Sequence, residues 1–561
     1  MTSQNHQQAS LNRRTFVAAT AGAAVASCVA AAAGSAVADE VAEASAPEWL
    51  GEEPQIADAD CVETLDFDVV VVGAGHAGYF AACSAAESGA KTLLMEKLPV
   101  GFGIRGDLAA VGSSMQAEQG VEVDPVEICN DLVSQSGNYA SYALWRKWAD
   151  NSGEMIDWYR DFVAKNCPEE LFYYEYKMPD QPTRGKNWPI SHGTSSRARL
   201  VNGVEEATCA RMDEYIAGFE GCEVRYCLEM VKLIVEDSAV TGVYAEGDDG
   251  MVRVNASKGV IVATGGYAAD RTMVEALQPH CDGYSGLECD PAARGAGIRA
   301  CVWAGAKFED EHTALIFDRG VIPPSEEVTG GWNGTGYYWH FSSQPWLKVN
   351  EYGERFINES GNYDYVFHAA QHYPHRCWYP VWDSNWKTDV ERFQTTGCSC
   401  IFDEPGTNGD GGTGVEAEEE EILAMIEAGT VVKSDTLKGL AEGLGIDPET
   451  FVATCERYNE LFDAQCDEDF GKEPFRLSQM ANPPFYGAKM GGLILCTLDG
   501  ILVDTNAQAL DADGNAIKGL YVVGNDMGGF FFGTYPNLAV GCAAGRSATF
   551  ARLAGKHVAS L

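Results

Sequence analysis

Phe67-Asp68-Val69-Val70-Val71-Val72-Gly73-Ala74-Gly75-His76-Ala77-Gly78 is the stretch on which the fold turns. Its β-branched run reads as a strand buried on both faces, the pattern of a parallel sheet covered by helices. An Ala-rich helix follows from Phe80 to Ser88, then Gly89-Ala90, a second strand from Lys91 to Met95, and Glu96 at that strand's end. Each part has a mechanical reason. Gly73 makes the tight turn, Gly75 lets a pyrophosphate approach the backbone at the helix N-terminus, and Gly78 lets helix and strand pack closely. Glu96 stands where it accepts from ribose hydroxyls. Glycine spacing by itself is weak evidence. Strand, glycines, helix, strand and acid in register point to a dinucleotide, and leave open which one.

Working outward, 561 residues suggest two or three domains. Hydrophobic residues make up 46% of the chain, which excludes general disorder. With 82 acidic against 39 basic residues the net charge is −43, so phosphate backbones and anionic lipid are repelled and no nucleic-acid partner is expected. The 61 glycines against 21 prolines suit an α/β protein with tight strand–helix turns.

The N-terminus reads as an address. Asn12-Arg13-Arg14-Thr15-Phe16-Val17 precedes an Ala-rich apolar run to Ala33, with Ala36-Val37-Ala38 as a cleavage signal, so residues 1–38 resemble a twin-arginine export peptide. The other reading, an anchoring helix, suffers from the run's length and its alanine content. Val25-Ala26-Ser27-Cys28 also fits a lipobox, which would tether an exported protein at Cys28. Residues 39–65 read as a flexible leader. The 18 cysteines show no Cys-x-x-Cys; Cys398/Cys400 and Cys222/Cys227 are the tightest pairs, and most are expected to be small buried hydrophobes. No metal ligand set can be named from their spacing.

Further along, Lys258-Gly259-Val260-Ile261-Val262-Ala263-Thr264-Gly265-Gly266-Tyr267 and Gly519-Leu520-Tyr521-Val522-Val523-Gly524-Asn525-Asp526 look like two strand-and-glycine segments of FAD-dependent oxidoreductases. Gly106 to Gly112 stands in the place of a third, and Arg355-Phe356-Ile357-Asn358-Glu359 follows Leu347-Lys348-Val349-Asn350 as in a cap. Together they resemble the fumarate reductase/succinate dehydrogenase flavoprotein family over residues 66–561. The resemblance implies bound FAD, held by Gly73, Ala74, Gly75, Ala77, Gly78, Glu96, Lys97, Gly106, Asp107, Gly265, Gly524, Asn525 and Leu538. It implies an α/β fold in which a discontinuous Rossmann-like FAD-binding domain (66–290 and 490–561) carries an inserted α+β capping domain (291–489). It also leaves room for a [4Fe–4S] cluster without locating one.

That family reduces activated C=C bonds, or runs the reverse oxidation of CH–CH bonds. Its dicarboxylate reductases hold their substrate with arginines and histidines, and those positions do not match here. Cys496-Thr497-Leu498-Asp499-Gly500 stands in place of a histidine segment, and Tyr535-Pro536-Asn537-Leu538 in place of a late arginine. Two carboxylates without that clamp would be unpaired in a dry pocket. Gly533-Thr534-Tyr535-Pro536 instead resembles ketosteroid dehydrogenases, which makes Tyr535 a catalytic candidate: its hydroxyl, with the Ala539 amide, would hold a substrate carbonyl. A tyrosine packed under the flavin is the other reading. His340 is the second catalytic candidate, as an acid or a structural histidine; His312, Arg319 and Arg294 are weaker ones. Trp303, Trp332, Trp339, Trp346, Trp378, Trp382 and Trp386 cluster in the cap, where two or three are expected to line a pocket for a flat, uncharged ligand.

With no second dinucleotide motif, electrons are expected from a membrane-linked cytochrome, whose basic face the acidic surface would suit. The expectation is an exported FAD-dependent reductase acting on a bulky apolar substrate, as in the exported branch of gut actinobacteria, where the lactone of cardiac glycosides is reduced. The alternatives are a reductase of a small unsaturated acid such as fumarate or urocanate, a 3-ketosteroid dehydrogenase, or a surface electron-transfer or ligand-binding flavoprotein without turnover.

Overall fold

The strand Glu63–Val72 lies in the middle of an eight-stranded sheet, with Val69, Val70 and Val71 fully buried. Parallel neighbours flank it: Thr92–Met95 in register Val69↔Thr92, and Gly250–Val262 in register Val72↔Val262. Ala516–Val522 then pairs in parallel with Gly250–Val262, so a strand from the end of the chain completes a sheet begun near its start. The helices His76–Glu87 and Cys542–Ala559 pack together over this sheet. That double covering explains the unbroken apolar reading of Val69–Val72.

The computed structural model describes residues 47–561 apart from 169–171, 175–181, 184, 195–206, 280–283, 288, 290, 329–336, 396–400, 402–413 and 537. The export peptide, Cys28, Trp332, Cys398 and Cys400 therefore lie outside the described residues. From Trp49 onward the chain forms one unit.

The leader expected to be flexible through residue 65 is pinned well before that point. Trp49 packs edge-on against Phe308, its carbonyl accepts from Arg299 Nε at 2.7 Å, and Asp58 accepts from Tyr244 Oη at 2.6 Å. The first strand itself begins at Glu63.

A second, seven-stranded sheet draws its strands from between Tyr284 and Thr497. Its spine is the long strand Phe485–Thr497, which pairs antiparallel with Ala314–Ile322 in register Ala314↔Thr497. The short strand Tyr337–Tyr338 joins the other edge of Ala314–Ile322, with Gly320 opposite Tyr338. The whole Ala314–Ile322 strand is buried, including Asp318 and Arg319.

The cap's described tryptophans do not form the expected pocket wall. Trp339, Trp346, Trp378 and Trp382 are fully buried, and Trp339, Phe341, Trp346, Trp382, Trp386 and Phe393 pack ring on ring in the core. None of the described tryptophans borders the cavity below. Filling a core is the commoner use of so large an apolar side chain. Among the described residues no helix is long and apolar enough to cross a membrane, and no cluster of three or more His, Cys, Asp or Glu side chains is arranged to hold a metal.

Candidate active site

A cavity of about 530 Å³ lies at the C-terminal ends of the parallel strands, where Val72, Met95 and Ala263 meet residues of the second sheet such as Leu315 and Leu495. It is bounded by Gly73, Gly75, Ala77, Glu96 and Lys97 of the first βαβ unit, by Gly265, Gly524 and Asn525, and by Leu315, Phe317, Tyr338, Tyr363, Leu495 and Tyr535. Gly73 has φ +105°, and a Cβ there would meet Ala263 O at 2.4 Å. At Gly78 a Cβ would fall 1.7 Å from Gly73 O, so close packing at this turn is a steric necessity. Gly75 is the opposite case: a Cβ would meet nothing within 4 Å, because the space before it is the cavity.

Gly75 also caps the helix His76–Glu87 without any side-chain cap, leaving first-turn amides toward that space. Gly295 and Gly541 stand before two further helices without a side-chain cap of their own, but there Thr264 Oγ1 accepts from Gly297 N and Tyr535 Oη from Ala543 N; Ala296 and Gly541 border the cavity. The open helix N-terminus at Gly75, with Lys97 and Arg105 on the wall, suits a ligand that is anionic at more than one point.

Glu96 anchors the glycine turn, accepting from Ala74 N at 2.7 Å and from Leu98 N at 2.9 Å. Lys97 Nζ donates to Ala292 O at 2.5 Å. His76 donates Nε2–H to Ala544 O at 3.1 Å and accepts from Arg105 N at 3.2 Å through Nδ1. Burial pushes its imidazole down to about 4, so it is neutral. The second glycine turn is organised from behind by the buried Asp526, which accepts from the Gly265 and Gly266 amides and from Thr264.

Of the residues expected from the sequence, Gly73, Gly75, Ala77, Glu96, Lys97, Asp107, Gly265, Gly524, Asn525 and Tyr535 share this cavity. Ala74 and Gly78 stand directly behind it. Gly106 is buried and Leu538 is half-buried beside Trp188; neither borders it. Tyr535 Oη accepts from Ala543 N at 3.3 Å. The expected Ala539 partner is spent: its N–H donates to Pro536 O at 2.8 Å, closing a local turn. His340 does not border the cavity either; its Nε2 sits 3.0 Å from Tyr338 Oη, which does. Arg294 is exposed and off the wall, and His312 Nδ1 pairs with Asp499 at 2.7 Å away from it. Sequence reasoning missed Phe317 and Tyr363; Tyr338, an aromatic residue expected beside the cap tryptophans, does border the cavity.

Asp364 supports the Tyr535 segment from behind, accepting from Thr534 Oγ1 at 3.0 Å. Burial pushes its carboxyl up to about 7, against opposing hydrogen bonds from Thr534 and Tyr535. The native protein thus holds a proton that the unfolded chain has released between about pH 4 and 7, and stability falls as pH rises through that window. Asp364→Asn is expected to flatten this fall, read from thermal midpoints at pH 5 and pH 8; an unchanged slope would acquit Asp364.

A family model described as an FAD binding domain (FAD_binding_2) matches residues 68–541. The chain belongs to this FAD-binding family. It is 27% identical over 500 residues to the vinyl phenol reductase of Lactiplantibacillus plantarum, covering 88% of this chain and 96% of that protein. It is 26% identical over 546 residues to the digoxin reductase of Eggerthella lenta, covering 90% and 89%. Among solved structures, the open conformation of a flavocytochrome c3 fumarate reductase matches with a TM-score of 0.61 at 22% identity, covering 90% of this chain and 79% of that one. The flavoprotein-family resemblance and the α/β fold are thereby borne out. This flavoprotein is an FAD-dependent oxidoreductase of the class acting on CH–CH bonds, and the open space before the helix N-terminus at Gly75 fits FAD.

Proposed function

We propose that this flavoprotein reduces an activated C=C bond in a flat, largely apolar substrate, outside the cytoplasm, with electrons from a separate membrane-linked cytochrome. One observation carries the substrate class. Among the described residues, Lys97 and Arg105 are the cations bordering the cavity, Lys97 next to Glu96 and Arg105 by His76 and Cys496, whereas Leu315, Phe317, Tyr338, Tyr363, Leu495 and Tyr535 make an apolar and phenolic wall. A dicarboxylate against that wall would ask for two counter-charges, and the buried Arg319 and Arg546 nearby do not border the cavity, the first already donating to Tyr338 and Ser343 and the second to Met527. An aromatic or lactone-bearing alkene buries apolar surface and asks only for hydrogen-bond donors, which three phenols supply. Reduction of a vinyl phenol and of digoxin by relatives of similar length supports the same class.

Bound FAD would supply the hydride. The chain's part is to hold that cofactor at Gly73–Gly78 and Glu96, to keep water out with Phe317 and Leu495, and to neutralise charge as it develops on the substrate. Tyr535 is placed to donate to the substrate's carbonyl oxygen, its own oxygen being polarised by the Ala543 amide. Export rests on Arg13-Arg14 and the apolar run after it, with Cys28 as a lipid anchor, and the cytochrome on the single dinucleotide motif and the net charge of −43.

The test is viologen oxidation by the purified holoenzyme, kept anaerobic, with digoxin, 4-vinylphenol, a 3-keto-4-ene steroid, urocanate and fumarate. At least one of the first three is expected to exceed fumarate in kcat/KM by about 100-fold, the equivalent of about 2.8 kcal/mol. Preference for fumarate would overturn the substrate class. Efficient reduction by NADH would overturn the cytochrome.

A further inference from the structure

We propose that Tyr338 is the catalytic acid that gives the substrate its proton, and that the buried Arg319 is the positioning residue that holds its phenol for that task. This rests on the proposed C=C reduction and names the residue that completes it.

Arg319 is fully buried in the strand Ala314–Ile322, and its guanidinium lies among three cavity rings, 4.5 Å from Phe317, 5.1 Å from Tyr363 and 5.5 Å from Tyr338. One arm donates to Tyr338 Oη at 2.6 Å; Nε donates to Ser343 Oγ at 2.8 Å, which in turn donates to Asp318 Oδ1 at 2.5 Å. The buried Lys348 stands 3.7 Å from the other Asp318 oxygen. On its far side Tyr338 Oη meets His340 Nε2 at 3.0 Å, and His340 is half-buried.

The donor inventory fixes the direction of the Arg319–Tyr338 bond. A guanidinium has no acceptor, so Tyr338 Oη accepts from Arg319 and its own proton points elsewhere, to His340 at rest and to a substrate when one is present. A permanent positive charge in a dehydrated setting stabilises the phenolate left behind. The proton balance closes. Addition of hydride to the β-carbon leaves an electron pair at the α-carbon, the Tyr338 O–H bond breaks, the new C–H bond forms, and His340 returns a proton from solvent to the phenolate.

The experiment uses holoenzyme, pre-reduced with viologen and mixed with whichever alkene of the panel wild type turns over. Tyr338→Phe is expected to slow single-turnover reoxidation by about 10²–10³-fold, with KM and the rate of flavin reduction within about threefold of wild type. Arg319→Met should slow it comparably, Arg319→Lys should recover part of the loss, and Tyr338→Phe/Arg319→Met should be no slower than Tyr338→Phe alone. His340→Gln should leave the first turnover intact and slow those after it. Bound FAD per chain, measured for each variant, reports folding; if the Arg319 variants lose it, Tyr338→Phe and His340→Gln decide. Tyr338→Phe within threefold of wild type, or losses that multiply in the double variant, would overturn the assignment alone. A wild type that reduces no alkene of the panel would overturn the function on which it rests, and the assignment with it.

Discussion

Gly75→Val is expected to yield a folded protein that carries no flavin. The backbone there has φ −94° and ψ −172°, ordinary extended geometry that any L-residue adopts, and a Cβ meets no protein atom within 4 Å. The new methyls project into the space where the cofactor's pyrophosphate must approach the helix N-terminus. FAD affinity should fall by more than about 100-fold, or about 2.8 kcal/mol, while the apoprotein's thermal midpoint stays within a few degrees of wild-type apoprotein. Gly78→Ala, three residues on, should behave oppositely. Its Cβ would collide with Gly73 O, so the βα turn itself must open and little folded chain should accumulate. Absorbance at 450 nm per chain, beside thermal unfolding of both apoproteins, separates the outcomes. Stoichiometric FAD in Gly75→Val would show that the pyrophosphate does not lie against this turn.

The cofactor end was legible in the sequence because everything that builds it is local. Strand, glycines, helix, second strand and acid fall within Phe67–Glu96, each with a backbone reason for its identity. The substrate end has no such signature. Phe317, Tyr338, Tyr363, Leu495 and Tyr535 meet through antiparallel pairing of Ala314–Ile322 with Phe485–Thr497 and with Tyr337–Tyr338. Register over such separations leaves no period in the chain. The tryptophans misled for a related reason, since aromatic enrichment marks volume to be filled and does not say which side of a strand does the filling. At His340 the reading stopped one contact short: the histidine is there, but Tyr338 stands between it and the cavity. The Ala539 amide failed on backbone accounting, because the turn at Pro536 had already claimed its proton.

Arg355→Met is expected to destabilise the cap by about 3–5 kcal/mol, the cost of stranding buried charge by removing one partner. The run Arg355-Phe356-Ile357-Asn358-Glu359, a family mark in the sequence, is the core of an ion cluster. Arg355 donates to Glu359 at 2.9 Å through Nε and through one arm, and to Asp467 at 2.9 and 2.7 Å through both arms, with Tyr458 and Phe470 rings against its guanidinium. Lys472 Nζ stands 3.2 Å from Glu359 and donates to Tyr458 Oη at 2.6 Å. The Glu359, Asp467 and Lys472 side chains are fully buried, and that of Arg355 is 6% exposed. Burial alone would raise the Asp467 carboxyl, yet hydrogen bonds from Arg355 and from the Lys472 and Phe470 amides bring it down to about 2. With methionine at 355 the two carboxylates are left with the buried Lys472 and, at Glu359, Lys348, and burial pushes both amines down, that of Lys472 to about 7. Replacing Glu359 by Leu in the same chain removes one stranded charge and should recover part of the loss. Denaturant unfolding followed by fluorescence of the cap tryptophans reads the effect, with flavin content as the internal control because the glycine turn lies elsewhere. A loss below about 1 kcal/mol would mean that water reaches the cluster and that the motif earns its place by some other means.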